Sequence, residues 1–132
     1  RKGATRAFSG EQPELHSKFS RTGQPVIVPG DMGRGSWIMA GPHSGQNQAF
    51  GSACHGAGRA LSRSEARRQI NPEEKENELR NKGIIVQAAT KNILSEEAPE
   101  AYKDVDSVIK NTANADLARP IVRLEPLTVI KG

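Results

Sequence analysis

The chain has 132 residues and a mass of 14.2 kDa, the size of one ordinary domain. With 19 Lys and Arg against 15 Asp and Glu it carries a net charge of +4, compatible with a polyanionic partner but common among proteins of every class. Its single cysteine, Cys54, excludes an intrachain disulfide, and no apolar run approaches the roughly 18 residues that a helical membrane span needs, so a cytoplasmic protein without a membrane partner is expected.

The opening string Arg1-Lys2-Gly3-Ala4-Thr5-Arg6 lacks a Met and reads as the inside of a functional motif, so the chain is expected to be a fragment or processed piece. Ser9 to Gln24 is polar, with Gly, Pro and Ser and no sustained period, as in a surface loop or lid (9–24). Val26-Ile27-Val28 and Ser36-Trp37-Ile38-Met39-Ala40 read as strands, closed by Pro29-Gly30 and Gly41-Pro42. Between them Pro29-Gly30-Asp31-Met32-Gly33-Arg34-Gly35 reads as a loop whose backbone can approach another group closely, and Phe50 to Gly58 repeats that economy.

From Arg59 to Ile70 the residues are helix formers without Gly or Pro, which predicts a helix beginning near Gly58 and ending at Asn71-Pro72. Asn71 can cap a second helix with Pro72 at its first position, running through Glu73 to Asn81. Ile84 to Ala89 reads as a strand, Asp104 to Asn111 as a short helix, and Ile121 to Ile130 as one edge or bent strand interrupted by Pro126. The sum is an α+β pattern, mixed sheets with short helices, without the regular βαβ alternation of a doubly wound sheet.

The sharpest constellation is His55 within Cys54-His55-Gly56-Ala57-Gly58-Arg59, with Arg63 four residues after Arg59. On a helix starting near Gly58 the two arginines share a face, and the first free N–H groups add to an anion site beside an imidazole. Neutral imidazole is a competent nucleophile near pH 7, and attack by nitrogen on phosphorus gives a phosphoramidate that can be passed on. Spacing alone fits a solvated helix end equally well. His16 and His43 lie in polar stretches that favour solvated side chains, and Cys54 without a ligand-spaced companion reads as a packed small residue.

The string His55-Gly56-Ala57-Gly58-Arg59 with Ser62-Arg63 resembles the guanylylation motif of the RtcB family of tRNA-splicing and RNA-repair ligases. Arg1 to Ala7, the Pro29-Gly30-x-Met32-Gly33 loop ahead of Ser36, Glu97-Ala98-Pro99-Glu100-Ala101-Tyr102-Lys103 and the terminal Val129-Ile130-Lys131-Gly132 resemble other blocks of the family, in its order. The resemblance spans essentially the whole chain and implies the carboxy-terminal portion of a larger RtcB-like catalytic domain. It implies a GTP- and Mn2+-dependent ligase that joins an RNA 3′-phosphate or 2′,3′-cyclic phosphate to a 5′-hydroxyl, with His55 accepting GMP.

Carried over by position, Pro29, Gly30, Asp31, Met32, Ser36, Gly56, Ala57 and Gly58 join His55 around the nucleotide, Tyr102 and Lys131 meet the guanine, and Lys2, Arg59 and Arg63 hold RNA phosphates. Asp31 stands where the family commonly has Ser or Thr, and a carboxylate there must bind metal or turn away from an anion. The family's manganese ligands lie upstream of the matched region, so no metal ligand is assigned in this chain, and the isolated chain is expected not to ligate RNA. The implied partners are RNA, the upstream portion of the same ligase and an accessory activating protein; the alternative is a non-catalytic RNA-binding fragment or a divergent paralogue lacking the metal centre.

Overall fold

The computed structural model describes residues 3–43, 45 and 48–132. In chain order the strands and helices are β1 (Ala4–Arg6), β2 (Pro25–Asp31), β3 (Gly35–Ala40), β4 (Ser52–Cys54), α1 (Arg63–Gln69), α2 (Pro72–Asn81), β5 (Ile85–Ala88), α3 (Lys91–Glu96), α4 (Val105–Asn114), β6 (Arg119–Leu124) and β7 (Thr128–Lys131). The fold is α+β, as the sequence pattern implied. No helix among the described residues is long and apolar enough to cross a membrane.

The central sheet is antiparallel with the order β2-β3-β6. Its two-residue alternation puts Val26 and Val28 on the inner face with Met39, while Ile27 points outward and is 66 % exposed. Helix α4 covers the inner face with Val105 and Ile109, and Ala53 and Ala57 complete this core. Asp104 starts α4 by accepting from the Ser107 amide at 2.9 Å, leaving the helix's apolar stripe to meet the sheet.

A second core gathers Leu79 of α2, Leu94 of α3, Ile84 and Ala98, lined by half-buried Val86 and Val129. Those two valines face inward from a parallel pair, β5 with β7, whose other face leaves Ile85 and Ile130 exposed. Met32, at the tip of the β2–β3 hairpin, is 2 % exposed and plugs this second core, so the hairpin tip is clamped between the two halves.

Several boundaries differ from the sequence reading for identifiable reasons. Strand β2 continues to Asp31, so only Met32, Gly33 and Arg34 turn the hairpin. This is possible because Gly30 lacks a Cβ, which would lie 2.0 Å from the Gly35 carbonyl oxygen. The helix expected from Gly58 begins only at Arg63, because Ser62 closes a capping box with Glu65 and Arg59 is held in an isolated bridge with Tyr102. The single bent strand over 121–130 is two strands in two sheets, split around Pro126. Within the expected loop of 9–24 a short 3-10 turn, Ser17–Phe19, is capped by His16, whose Nδ1 accepts from the Lys18 amide at 3.2 Å. Helix α3 and the three-residue pair β1–β4 had no counterpart in the sequence reading.

Candidate functional site

A cleft of about 370 Å3 opens between the β2–β3 hairpin and the β6–β7 connection. One wall is Pro29, Gly30, Asp31, Met32, Gly35 and Ser36; the other is Leu124 to Pro126 and Thr128 to Lys131. Six of the residues expected at a nucleotide, Pro29, Gly30, Asp31, Met32, Ser36 and Lys131, therefore border one cavity. The Ser36 hydroxyl accepts from the Gly30 amide at 3.3 Å and braces the strand end, while Met32 borders the cleft and is buried in the second core.

Asp31 turns away from the cleft. Its fully buried carboxylate accepts from the Gly33 amide at 3.0 Å, the Arg34 amide at 2.8 Å and the Arg34 guanidinium at 2.7 Å. A charged group in this loop is thus neutralised within the loop, which removes the electrostatic objection to an anion alongside it. Arg34 also donates to the carbonyls of Pro99 and Tyr102, the latter at 3.1 Å, and so ties the hairpin tip to the segment that carries the tyrosine.

His55 leaves the end of β4, which is paired antiparallel to β1 with Cys54 opposite Ala4. The Cys54 thiol packs toward the core, 3.4 Å from the Thr112 hydroxyl, while His55 is exposed. The next three residues are stitched to both neighbouring segments. The Ala57 amide donates to the Pro29 carbonyl at 2.9 Å, and a Cβ on Gly56 would stand 3.1 Å from that oxygen, so this glycine permits the close approach. Gly58 adopts a φ of +76°, and its carbonyl accepts from the Lys103 amide at 2.9 Å. The His55 loop does not border the cleft itself; it abuts the Pro29 end of one wall.

Tyr102, Lys131 and Arg59 converge on Glu97, which the sequence reading quoted in a motif without giving it a role. The Tyr102 hydroxyl donates to Glu97 at 2.7 Å, the Lys131 ammonium lies 3.3 Å from the same carboxylate oxygen, and Arg59 lies 3.5 Å from the other. Burial pushes the Glu97 carboxyl up, but the Tyr102 hydrogen bond and the charges of Lys131 and Arg59 outweigh it and hold the group below the usual carboxylate range. Burial, and then the Glu97 carboxylate, push the Tyr102 phenol above its ordinary range.

Arg59 stacks its guanidinium 5.0 Å over the Tyr102 ring and donates to the carbonyls of Leu61 and Glu96 at 3.0 and 2.6 Å. Four hydrogen bonds within the protein thus engage its guanidinium, which has five N–H donors. Arg63 is different, with a side chain 66 % exposed and one contact of 3.4 Å to Glu96. The two arginines do not share a helix face, because Arg59 precedes α1, and the Glu65 amide in the first turn of α1 donates to the Ser62 hydroxyl. Lys2 lies outside the described residues. No three His, Cys, Asp or Glu side chains among the described residues are grouped to hold a metal ion.

Comparison with known proteins adds to this geometry. The family model for tRNA-splicing ligase RtcB matches residues 1–132. Over 135 residues the chain is 48 % identical to tRNA-splicing ligase RtcB of Methanopyrus kandleri, an alignment that takes in 100 % of this chain and 14 % of that protein. It is 47 % identical to the protein of the same name from Pyrobaculum aerophilum and 46 % to that from Thermococcus kodakarensis, each over 100 % of this chain and 27 % of the relative. The chain thus spans between 14 % and 27 % of the length of these relatives.

Proposed function

Given that this chain belongs to the RtcB family of tRNA-splicing ligases, we propose that it supplies the guanylate-accepting part of an RNA ligase, with His55 as the nucleophile and the cleft beside Pro29 as the seat of the nucleotide. The observation that carries this reading is the attachment of the His55 loop to the cleft wall through the Ala57 amide and the Pro29 carbonyl, 2.9 Å apart. A nucleophile fixed against the wall of a nucleotide cleft meets the proximity requirement for transfer.

In the proposed reaction a neutral imidazole nitrogen of His55 attacks the α-phosphorus of GTP, a P–N bond forms, and pyrophosphate leaves. An oxygen of the RNA 3′-phosphate then displaces the imidazole, giving an RNA end activated by GMP through a diphosphate bond. A 5′-hydroxyl attacks the RNA-bound phosphorus of that bond, GMP departs with the electron pair, and a 3′,5′-phosphodiester results. Lys131 and Tyr102 would meet the guanine by ammonium and ring, and Arg63, together with Lys2 and Arg59, would hold RNA phosphates in register.

Manganese, which the family resemblance implies, finds no group of three acidic, thiol or imidazole side chains among the described residues, so no step of this chain is routed through it. We assign its ligands, and the remainder of the catalytic domain, to an upstream portion of the same ligase in the cytoplasm, with RNA and an accessory activating protein as further partners. The outward apolar side chains Ile27, Val122 and Leu124 on one face of the central sheet suit a chain that packs against more protein.

The test is sealing by the full-length protein with GTP and manganese. His55→Ala is expected to abolish joining of a 3′-phosphate to a 5′-hydroxyl while sparing RNA that already carries 3′-guanylate. Joining of the unactivated RNA by His55→Ala would overturn the reading. A non-catalytic RNA-binding role predicts RNA retention with no sealing by the wild-type full-length protein.

A further inference from the structure

Glu97 follows α3 directly, and its amide donates to the Ile93 carbonyl at 2.9 Å, so the backbone that carries the carboxylate is fixed by the helix. Its side chain is 18 % exposed and reaches three groups from separate parts of the chain. Lys131 comes from β7, Tyr102 from the end of the 3-10 turn at Pro99–Ala101, and Arg59 from the bridge that precedes α1. Two of these are cations, and one carboxylate set between them offsets their mutual repulsion.

The chemistry of each contact is directional. The Tyr102 hydroxyl spends its proton on Glu97, with an oxygen–oxygen distance of 2.7 Å, which fixes the phenol against rotation. Lys131 borders the cleft, and its ammonium lies 3.3 Å from the Glu97 carboxylate. An ammonium can only donate, so the atom it meets in the cleft must accept. At the six position of a purine, guanine presents an acceptor oxygen and adenine a donor amine.

We propose that Glu97 is the positioning residue for base selection: by holding the Lys131 ammonium and the Tyr102 ring in place, its carboxylate makes the cleft accept a 6-oxopurine and reject a 6-aminopurine. This rests on the nucleotide assignment made above. Glu97 does not touch the base; it acts through Lys131 and Tyr102. Glu97→Ala frees both groups and leaves Lys131 and Arg59 without their shared counter-ion. Glu97→Gln keeps an acceptor for the tyrosine and loses the charge.

The experiment is single-turnover nucleotide transfer to the full-length protein, with α-labelled GTP and α-labelled ATP in separate titrations for wild type, Glu97→Ala and Glu97→Gln. Glu97→Ala is expected to raise the half-saturating GTP concentration by about tenfold, the worth of one charge-assisted contact. Its maximal rate of transfer should stay near that of wild type, and its preference for GTP over ATP should fall, with Glu97→Gln between the two. A merely structural role would lower the maximal rate for both nucleotides and leave their ratio unchanged. Wild-type labelling together with an unchanged GTP/ATP ratio in Glu97→Gln overturns this proposal and leaves the nucleotide assignment standing. A wild-type protein that takes up no label overturns that assignment, and this proposal with it.

Discussion

The amide of Ala57 donates to the carbonyl of Pro29 at 2.9 Å, joining the loop that carries the exposed His55 to the wall of the cleft. Gly56 lies between them, and a Cβ there would meet the Pro29 oxygen at 3.1 Å and Pro29 Cγ at 3.4 Å. Gly56→Ala should therefore be tolerated with a small shift, whereas the branched side chain of Gly56→Val must push the loops apart. A displacement of about 1 Å can cost about a hundredfold in rate. Single-turnover guanylylation of the full-length protein should show that loss for Gly56→Val with little change in melting temperature. Equal activity of the two variants would show that this contact does not position His55.

The Asp31 carboxylate is buried and depends on Arg34 for its counter-charge, and Arg34 also holds the Pro99 and Tyr102 carbonyls. Arg34→Ala leaves a buried carboxylate unpaired and should cost about 2 kcal/mol or more, read as a lower denaturation midpoint. Asp31→Asn retains an oxygen for the Gly33 and Arg34 amides, so it should cost less. Arg34→Ala in the Asp31→Asn background should cost less than in wild type, because no buried charge is stranded. Strict additivity of the two changes would contradict the pairing.

Stability should fall at both ends of the pH scale. At Glu97 and Glu100 burial raises each carboxyl, but Tyr102, Lys131 and Arg59 at the first, and Lys75 at the second, outweigh it and hold both below the usual range. A folded pKa below the unfolded one adds stability at higher pH, and that stability is lost as pH falls through the folded value. Tyr102 is raised by burial and then by Glu97, and Lys75 is raised because Glu100 and Glu78 outweigh its burial. Their contribution is present below the unfolded values and is lost as pH rises through the folded ones. Thermal denaturation should thus give a plateau near neutrality, an acid limb below about pH 4 and an alkaline limb above about pH 10. Glu97→Gln should flatten part of the acid limb, and an acid limb identical to wild type would contradict the assignment.

The residues proposed at RNA phosphates should share a salt dependence and separate by stability. Arg63→Ala and Arg59→Ala should each lower the slope of log affinity against log salt by about one unit, without regard to RNA sequence. Only Arg59→Ala should also lower the melting temperature, because its guanidinium stacks on Tyr102 and holds the Leu61 and Glu96 carbonyls. An unchanged slope for both would place neither at a phosphate.

Local chemistry written within a few residues was legible in advance. Asn71 accepts from the Glu73 amide at 2.9 Å and Pro72 opens α2, as their order predicts, and the β-branched run Val26-Ile27-Val28 is the middle of β2. The start of α1 was also written, as Ser62 three residues before Glu65, but the helix formers from Arg59 onward hid it. What holds Arg59 out of the helix is its bridge to Tyr102, 43 residues on, and no local pattern encodes that. The pair β1–β4 is three residues long in each strand and has no period to detect.

The cleft residues came from motif resemblance, while the groups that organise them did not. Arg34 reads as an ordinary loop arginine, and Glu97 as one of three glutamates within five residues, 96–100, until folding brings Lys131 to it. Asp31 illustrates the same limit. Its type departs from the family pattern, and only the position of Arg34 shows why the departure is harmless to an anion nearby.

The central claim is that His55 is the nucleophile of the covalent step, and the most direct measurement is the chemistry of the adduct. Full-length protein incubated with α-labelled GTP and manganese should carry one GMP, mapped by peptide mass analysis to the peptide that contains His55. A P–N bond breaks when its nitrogen is protonated, so the label should be lost in acid and retained in alkali, and His55→Ala should carry none. An acid-stable adduct, or label that persists in His55→Ala, would move the chemistry to another residue and contradict the account.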